Sequence, residues 1–176
     1  MIKEYFSNLK NLWLGPAEFF EMNLGSEPEK HAIRFAALTS LLVALELGLV
    51  EILSDSSKVT VGIILALMLI GMPFLIVLWV YLWTAFMRLC AYLLGESLPA
   101  DKVRLVVAYS AAGLVALGLG FGVGIWLALM VFVFQVIGIE KILGYSRWTA
   151  AVYVGLPFSL IAVLAGFFTL MFKVIK

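Results

Sequence analysis

Long apolar stretches separated by short polar segments dominate this chain. A helix needs about 20 largely apolar residues to cross a hydrocarbon core about 30 Å thick. Five stretches approach or exceed that length, at about 32–53, 59–94, 103–119, 121–143 and 148–172. The pattern predicts an all-α integral membrane protein with five transmembrane helices, of which the third is the shortest.

The stretch 59–94 leaves two topologies open. Residues 59–72 are apolar but too short to span alone, and they run directly into Pro73. Either the whole stretch is one long helix kinked near Pro73, which gives five spans, or an extra crossing precedes Pro73, which gives six.

The distribution of basic residues favours five spans. In that topology one side of the membrane holds Lys3, Lys10, Lys30, Arg34, Lys102, Arg104, Lys141 and Arg147, with Arg88 nearby. The other side holds Lys58, Lys173 and Lys176. With six spans the same residues divide almost evenly. Because cytoplasmic loops are enriched in Lys and Arg, we predict a multi-pass protein of the cell (inner) membrane with a cytoplasmic N-terminus and an external C-terminus.

Residues 1–30 are predicted to form a cytoplasmic or interfacial segment ahead of the transmembrane domain, residues 31–176. Apolar residues fall at helical spacing here, with charged residues between them: Ile2, Tyr5, Phe6, Leu9, Leu12 and Trp13. This pattern predicts an amphipathic helix on the membrane surface. Gly15 and Pro16 end it, and Pro16 is well placed to start a second short helix. Charged residues interrupt every apolar stretch, so no secretory signal is predicted.

Composition narrows the function further. Of the 176 residues, 64% are hydrophobic and 13% charged, against about 25% charged in an ordinary soluble domain. A net charge of +1 gives no support for a nucleic-acid partner. Cys90 and His31 are the only cysteine and histidine, which excludes an internal disulfide and a metal site built from those ligands. We predict no cofactor and no metal.

Polar residues within the spans are the candidate functional groups, because each is costly unless it faces protein or water. Counting inward from the cytoplasmic ends, six of them come out roughly 10 Å deep. They are Thr39, Ser40, Arg88, Tyr109, Ser110 and Gln135. We interpret them as an intramembrane polar layer that either solvates the Arg88 guanidinium or lines a cavity open to the cytoplasm. Tyr81, Thr84 and Arg88 share one helix face, which is predicted to point inward.

Glu46 is the other buried ionisable group, roughly 20 Å from the cytoplasmic end of its helix. It lies about 10 Å from Arg88 along the membrane normal by the same count, so a direct ion pair requires a shift in register near Pro73. Structural hydrogen bonding is the favoured role of the polar layer, ahead of a transport or ligand site.

Several short motifs resemble the Yip-one domain family, the Ypt/Rab-interacting membrane proteins, and in particular its short prokaryotic members. Leu12-Trp13-Leu14-Gly15-Pro16 resembles the family's Gly-Pro motif before the first span, with Asn11 where an acidic residue is common. Tyr109-Ser110 resembles a tyrosine-serine motif in the third span, without the following proline. The segment 138–150 resembles the one between the last two spans. The matching positions are Gly15, Pro16, Tyr109 and Ser110.

The resemblance implies a non-enzymatic organiser or adaptor that binds other membrane proteins or shapes the bilayer. A Rab partner does not carry over, because only about 30 residues precede the first span.

The alternative function is a small-solute or ion transporter or channel that uses the polar layer and Glu46. Ser110 lacks a histidine or lysine partner at its depth, so an enzyme is not predicted. Stripes of small residues leave room for a homo-oligomer. The sequence indicates no particular partner or substrate.

Overall fold

A computed structural model of the chain describes residues 2–23, 29–53, 58–114 and 124–174, and these residues form helices without any strand. The helices are α1 (Ile2–Leu14), α2 (Pro16–Asn23), α3 (Glu29–Leu53), α4 (Lys58–Leu93), α5 (Ala100–Ser110), α6 (Gly124–Leu143) and α7 (Arg147–Val174). The all-α prediction is confirmed.

Within the described ranges, two helical stretches are long and apolar enough to cross a membrane, Glu29–Gly48 in α3 and Leu65–Leu93 in α4. The helix α4 runs unbroken for 36 residues with Pro73 in its interior. Proline has no N–H to donate to the carbonyl four residues earlier, yet the helix continues on both sides of it. The alternative break before Pro73 is therefore not seen.

The helix α5 is shorter than the span predicted for it. Its 11 residues cover about 17 Å at about 1.5 Å per residue, and one tighter turn follows at 111–114. The rest of the predicted span, 115–119, lies outside the described residues. The helix is enclosed by α3, α4 and α6, and every residue from Leu105 to Gly113 is buried.

Two ion pairs gather several helix ends at one end of the bundle. Arg104 Nε at the start of α5 lies 2.8 Å from Glu29 Oε1 at the start of α3. Lys141 Nζ near the end of α6 lies 2.6 Å from Glu21 Oε1 in α2. We call this the charged end, defined by Glu21, Glu29, Arg104 and Lys141.

The N-terminal helices pack against the bundle. Tyr5 and Leu12 of α1 are buried, as are Phe19 and Phe20 of α2. The Trp13 ring stands 5.7 Å from that of Phe134 in α6, edge to face. The apolar side of α1 is therefore divided: one edge contacts protein, and the other stays exposed.

The helix α3 packs against α4 and buries several small residues. Ser40, Ala44 and Gly48 are all buried. A Cβ on Gly48 would collide with the Leu65 side chain of α4. Glycine at this position therefore allows the two helices to approach closely.

Candidate binding cavity and the polar network beside it

Three helices share a buried hydrogen-bond network. Trp83 Nε1 on α4 donates to Gln135 Oε1 on α6 at 3.0 Å, and Gln135 Nε2 donates to Ser110 Oγ on α5 at 3.2 Å. Ser110 Oγ in turn donates to the Val107 carbonyl at 2.7 Å. Gln135 and Ser110 are both 0% exposed. A buried amide or hydroxyl without partners costs free energy, so these bonds let the polar groups sit in an apolar interior.

A second polar contact joins α1 to α3. The Tyr5 hydroxyl donates to Thr39 Oγ1 at 3.2 Å, and Thr39 Oγ1 donates to the Phe35 carbonyl at 2.9 Å. Burial raises the pKa of the Tyr5 hydroxyl, the bond to Thr39 lowers it, and the charge of Glu46 raises it again. Glu46 is at i+7 from Thr39, on the same face of α3. Tyr5 is thus held neutral, as a hydrogen-bond donor to α3.

Tyr109 and Ser110 are neighbours in sequence but serve different contacts. The Tyr109 ring lies 5.0 Å from the rings of Phe19 and of Phe35, which joins α5 to α2 and α3. Ser110 belongs to the network with Gln135 on α6. Ser40 Oγ donates to the Ala37 carbonyl of its own helix at 2.7 Å. Within the predicted polar layer, Ser110 and Gln135 are therefore joined directly, whereas Thr39 and Ser40 each donate to a carbonyl of their own helix.

Arg88 lies outside that layer. Its side chain is exposed, and its Nε donates to the Leu98 carbonyl, in the connection between α4 and α5, at 2.9 Å. Tyr81 is also exposed, with the Arg104 guanidinium 5.4 Å from its ring centre, whereas Thr84 is buried. The interpretation that the layer solvates Arg88 is wrong. At 100° per residue Tyr81 and Arg88 share an outward face, and the long arginine side chain reaches the helix end.

Gly15 and Pro16 form the junction between α1 and α2. The Gly15 N–H donates to the Asn11 carbonyl, and the Gly15 carbonyl accepts from the Phe19 N–H, both at 2.9 Å. Pro16 opens α2, where a missing N–H costs no helical bond. A Cβ on Gly15 would meet only ordinary contacts, the nearest being Glu18 Oε2 at 3.4 Å. The junction places Phe19 in the bundle.

An apolar cavity of about 390 Å³ lies beside the Trp83 network. It is lined by Ser40, Val43, Met72, Leu75, Ile76, Trp79, Trp83, Leu114, Val131 and Phe158. Of the predicted polar layer, Ser40 alone contributes to this lining. A cavity open to the cytoplasm and lined by the polar layer was one of the two roles that the sequence left open, whereas the described lining of this cavity is almost entirely hydrocarbon and aromatic.

A smaller cleft of about 70 Å³ lies between α1 and α3. Glu4, Asn8, His31 and Arg34 line it together with Tyr5, Phe35, Leu38 and Tyr109. Its volume suits a small polar group or a few water molecules. Across the described ranges, no group of three or more His, Cys, Asp or Glu side chains is arranged to hold a metal ion.

Sequence reasoning missed Trp83 and Tyr5 as members of the polar contacts. Both are aromatic residues with one polar atom, and both were counted with the apolar positions. A buried Trp N–H or Tyr O–H usually finds a partner, so an aromatic residue at the depth of Gln135 or Thr39 was the available signal. Which of the aromatic residues supplies the partner depends on helix packing.

Comparison of this chain with protein-family models, with curated proteins and with solved structures gives no match. The resemblance to the Yip-one domain family therefore stays a prediction.

Proposed function

We propose that the chain is a multi-pass membrane protein with five spans that acts as a non-enzymatic organiser of the membrane. The apolar surface of α4 supports the membrane placement. In its most apolar stretch, only 11% of the residues are buried inside the chain. Large apolar side chains project along its whole length: Ile63, Leu67, Ile70, Phe74, Leu75, Leu78, Leu82, Leu89 and Leu93. Such a continuous exposed surface fits lipid rather than water.

The proposed orientation places the charged end in the cytoplasm. Arg104 and Lys141 lie there in ion pairs, and Arg147 at the start of α7 pairs with Glu140 at 2.8 Å. Basic residues concentrated at one end of the bundle correspond to the cytoplasmic side by the positive-inside rule. The N-terminus would then be cytoplasmic and the C-terminus external.

The divided apolar side of α1 is the observation that carries the proposed function. Tyr5 and Leu12 face protein, while Ile2 and Phe6 are exposed beside them. Helical geometry puts Lys3 and Lys10 at the border of this exposed edge. An apolar edge bordered by lysines is typical of a helix that lies in the interface of an anionic membrane.

The position of α1 is fixed by the bundle, and this makes it suited to shaping the bilayer. The bond from Tyr5 to Thr39 and the burial of Leu12 tie the helix to α3 and its neighbours. Its exposed edge would therefore enter the cytoplasmic leaflet at a depth set by the spans. A wedge of this kind spreads the headgroups of one leaflet, in agreement with the organiser or adaptor role that the Yip-family resemblance implies.

A transporter or channel is the second candidate, favoured by the cavity of about 390 Å³ and by the half-buried Glu46. Against it, the polar groups of the Trp83 network bond to one another instead of facing the cavity. A pathway for ions or polar solutes needs polar groups along its walls.

Vesicle reconstitution separates the two candidates. The full chain is inserted into vesicles containing anionic lipid, vesicle diameter is measured by electron cryo-microscopy, and proton flux by an enclosed pH-sensitive dye. We expect smaller or tubulated vesicles with the wild type and larger ones with Ile2→Ser and Phe6→Ser combined. The matched control, Leu78→Ser on the exposed side of α4, should behave as the wild type. Normal vesicle shape together with a proton flux abolished by Glu46→Gln would favour the transporter instead.

Cysteine labelling tests the topology separately. Cys90 is replaced, single cysteines are placed at Ser56, Ser97, Gly122, Ser146 and the C-terminus, and intact cells are labelled from outside. Labelling confined to Ser56, Gly122 and the C-terminus is expected for five spans with a cytoplasmic N-terminus. Labelling of Ser97 or Ser146 would refute that topology.

A further inference from the structure

The cavity of about 390 Å³ falls in the range of ligand sites, about 300–1,000 Å³, and its lining specifies the chemistry of an occupant. Aliphatic side chains from α3, α4 and α6 supply most of the wall, including Val43, Ile76 and Val131. Among the described lining residues, Ser40 contributes the one hydroxyl, which already donates to the Ala37 carbonyl. The lining offers an occupant dispersion contacts and almost no hydrogen bonds.

The cavity is open at one side, and the atoms along its wall lack packing partners unless a molecule occupies it. Water is a poor filler, since a buried water needs two to four polar partners. Ser40 and the edge of Trp83 do not supply them, because the Trp83 Nε1 hydrogen is already donated to Gln135. Hydrocarbon is the filler that this lining favours.

The aromatic walls are held in place before any occupant enters. The indoles of Trp79 and Trp83 stack with ring centres 6.1 Å apart and planes 22° apart. The Phe158 ring stands 4.7 Å from that of Trp83, edge to face. The hydrogen bond to Gln135 fixes the Trp83 indole, so the buried network works as the support for one cavity wall. A pre-formed wall lowers the entropy cost of binding.

The entrance lies on the face of the protein that we assign to lipid. Leu75 lines the cavity and is also 56% exposed, so it marks the mouth. Phe74 and Leu78, its neighbours on α4, belong to the exposed apolar surface. A molecule dissolved in the hydrocarbon core reaches this mouth directly, whereas a water-soluble one would have to cross the apolar surface.

We propose that this cavity binds an acyl chain, entering sideways from the bilayer between α4 and the neighbouring helices. The proposal rests on the membrane placement proposed for α4, and it adds a lipid-binding site to the organiser. Held between α3, α4, α6 and α7, the acyl chain would fill the space that these helices leave open.

Photo-crosslinking in vesicles tests the site. The full chain is reconstituted with a phosphatidylglycerol that carries a diazirine near the end of one acyl chain, and in parallel with a fatty acid carrying the same group. After irradiation, adducts are mapped by mass spectrometry of peptides. We expect adducts on lining residues distant from the outer surface, such as Val43 and Phe158. The phospholipid probe reports a bilayer lipid, and labelling by the fatty acid alone reports a free acid as the source of the chain.

Variants at the mouth sharpen the test. Leu75→Trp should narrow the entrance and reduce the interior adducts several-fold, while Leu78→Trp, one turn away on the exposed surface, should leave them unchanged. Val131→Phe fills the cavity from α6 and should give the same loss if Leu75→Trp does not fold. Interior adducts that persist in both folded variants would overturn the proposal, as would adducts confined to the outer surface in the wild type.

Alkaline carbonate extraction distinguishes the two ways in which the proposal can fail. A chain released from membranes by carbonate would overturn the membrane placement and the lipid site with it. A chain that stays in the membrane but carries no interior adducts overturns the acyl-chain site alone and leaves the organiser proposal standing.

Discussion

Helices α4 and α5 place their apolar side chains in opposite surroundings. The 36 residues of α4 are strongly apolar, yet they leave a long row of large side chains exposed. The helix α5 exposes Asp101 and Lys102 at its start, and its mostly apolar remainder, which includes Ser110, is enclosed from Leu105 onward. The apolar side chains of α4 thus form the surface proposed for lipid, whereas those of α5 contact other helices.

The physical reason is the solvent proposed for the outer surface. In lipid, apolar side chains gain little by leaving the surface, so helices associate through close packing of small residues and through hydrogen bonds. The helix α5 and the turn after it offer both, with Ala108 and Ala112 fully buried and Ser110 bonded to Gln135. Four substitutions test this contrast between α4 and α5, in decreasing order of expected effect.

Gly138→Ala should be the most damaging of these changes. A Cβ at this position would lie 2.6 Å from Val106 Cγ1 and 3.1 Å from Phe20 Cζ, so α5 or α2 must move away from α6. We expect a loss of about 1–3 kcal/mol in the free energy of unfolding, measured by SDS titration in mixed micelles. The matched control is Gly71→Ala on α4, where a Cβ would meet nothing within 4 Å. If Gly138→Ala and Gly71→Ala lowered the free energy of unfolding equally, the contrast between the enclosed helices and the exposed surface of α4 would be contradicted.

Gln135→Leu tests the buried network. It removes both side-chain bonds of Gln135 and leaves the Trp83 N–H without its acceptor. We expect a loss of about 1–2 kcal/mol in unfolding free energy, measured by the same SDS titration. Val133→Leu, on the exposed side of the same helix, is the control and should change little. If Gln135→Leu were neutral, α5 would be held by packing alone.

Tyr5→Phe tests the attachment of α1. The change removes one hydroxyl and its bond to Thr39 while keeping the ring that packs 5.0 Å from Phe35. We expect a loss of about 0.5–1.5 kcal/mol and faster amide hydrogen exchange across residues 2–14, with the long helices unchanged. Phe6→Tyr, which adds a hydroxyl at an exposed position, serves as the control. Unchanged exchange in α1 would show that apolar contacts alone hold it.

Arg104→Gln should have the smallest effect. The side chains of Arg104 and Glu29 are 25% and 31% exposed, so solvent screens their ion pair. A double-mutant cycle with Glu29→Gln should give a coupling of about 0.5 kcal/mol that shrinks as salt is added. A coupling energy larger than the loss of unfolding free energy caused by Gln135→Leu would mean that the charged end, rather than the interior, holds α5 in place.

Parts of the candidate site followed from the sequence because depth along a helix depends only on residue count. The positions of Ser110 and Gln135 on their helices placed them at one level, and the structure joins them by a hydrogen bond. The same count placed Arg88 at that level too, but in the structure Arg88 is exposed and donates to the Leu98 carbonyl instead. Counting residues gives depth but not which way a side chain points relative to its neighbours.

Local sequence was enough to predict that this chain is helical and that α1 is amphipathic, because these depend on local periodicity and on the chemistry of single residues. The prediction that α4 continues through Pro73 needed the distribution of basic residues over the whole chain. Only the packing of the helices established that Trp83 completes the network, that Tyr5 turns toward Thr39, and that Leu75 opens a cavity. Each of these depends on the rotation of one helix against another. That rotation is set by many small contacts distributed over distant parts of the chain, and no single segment encodes it.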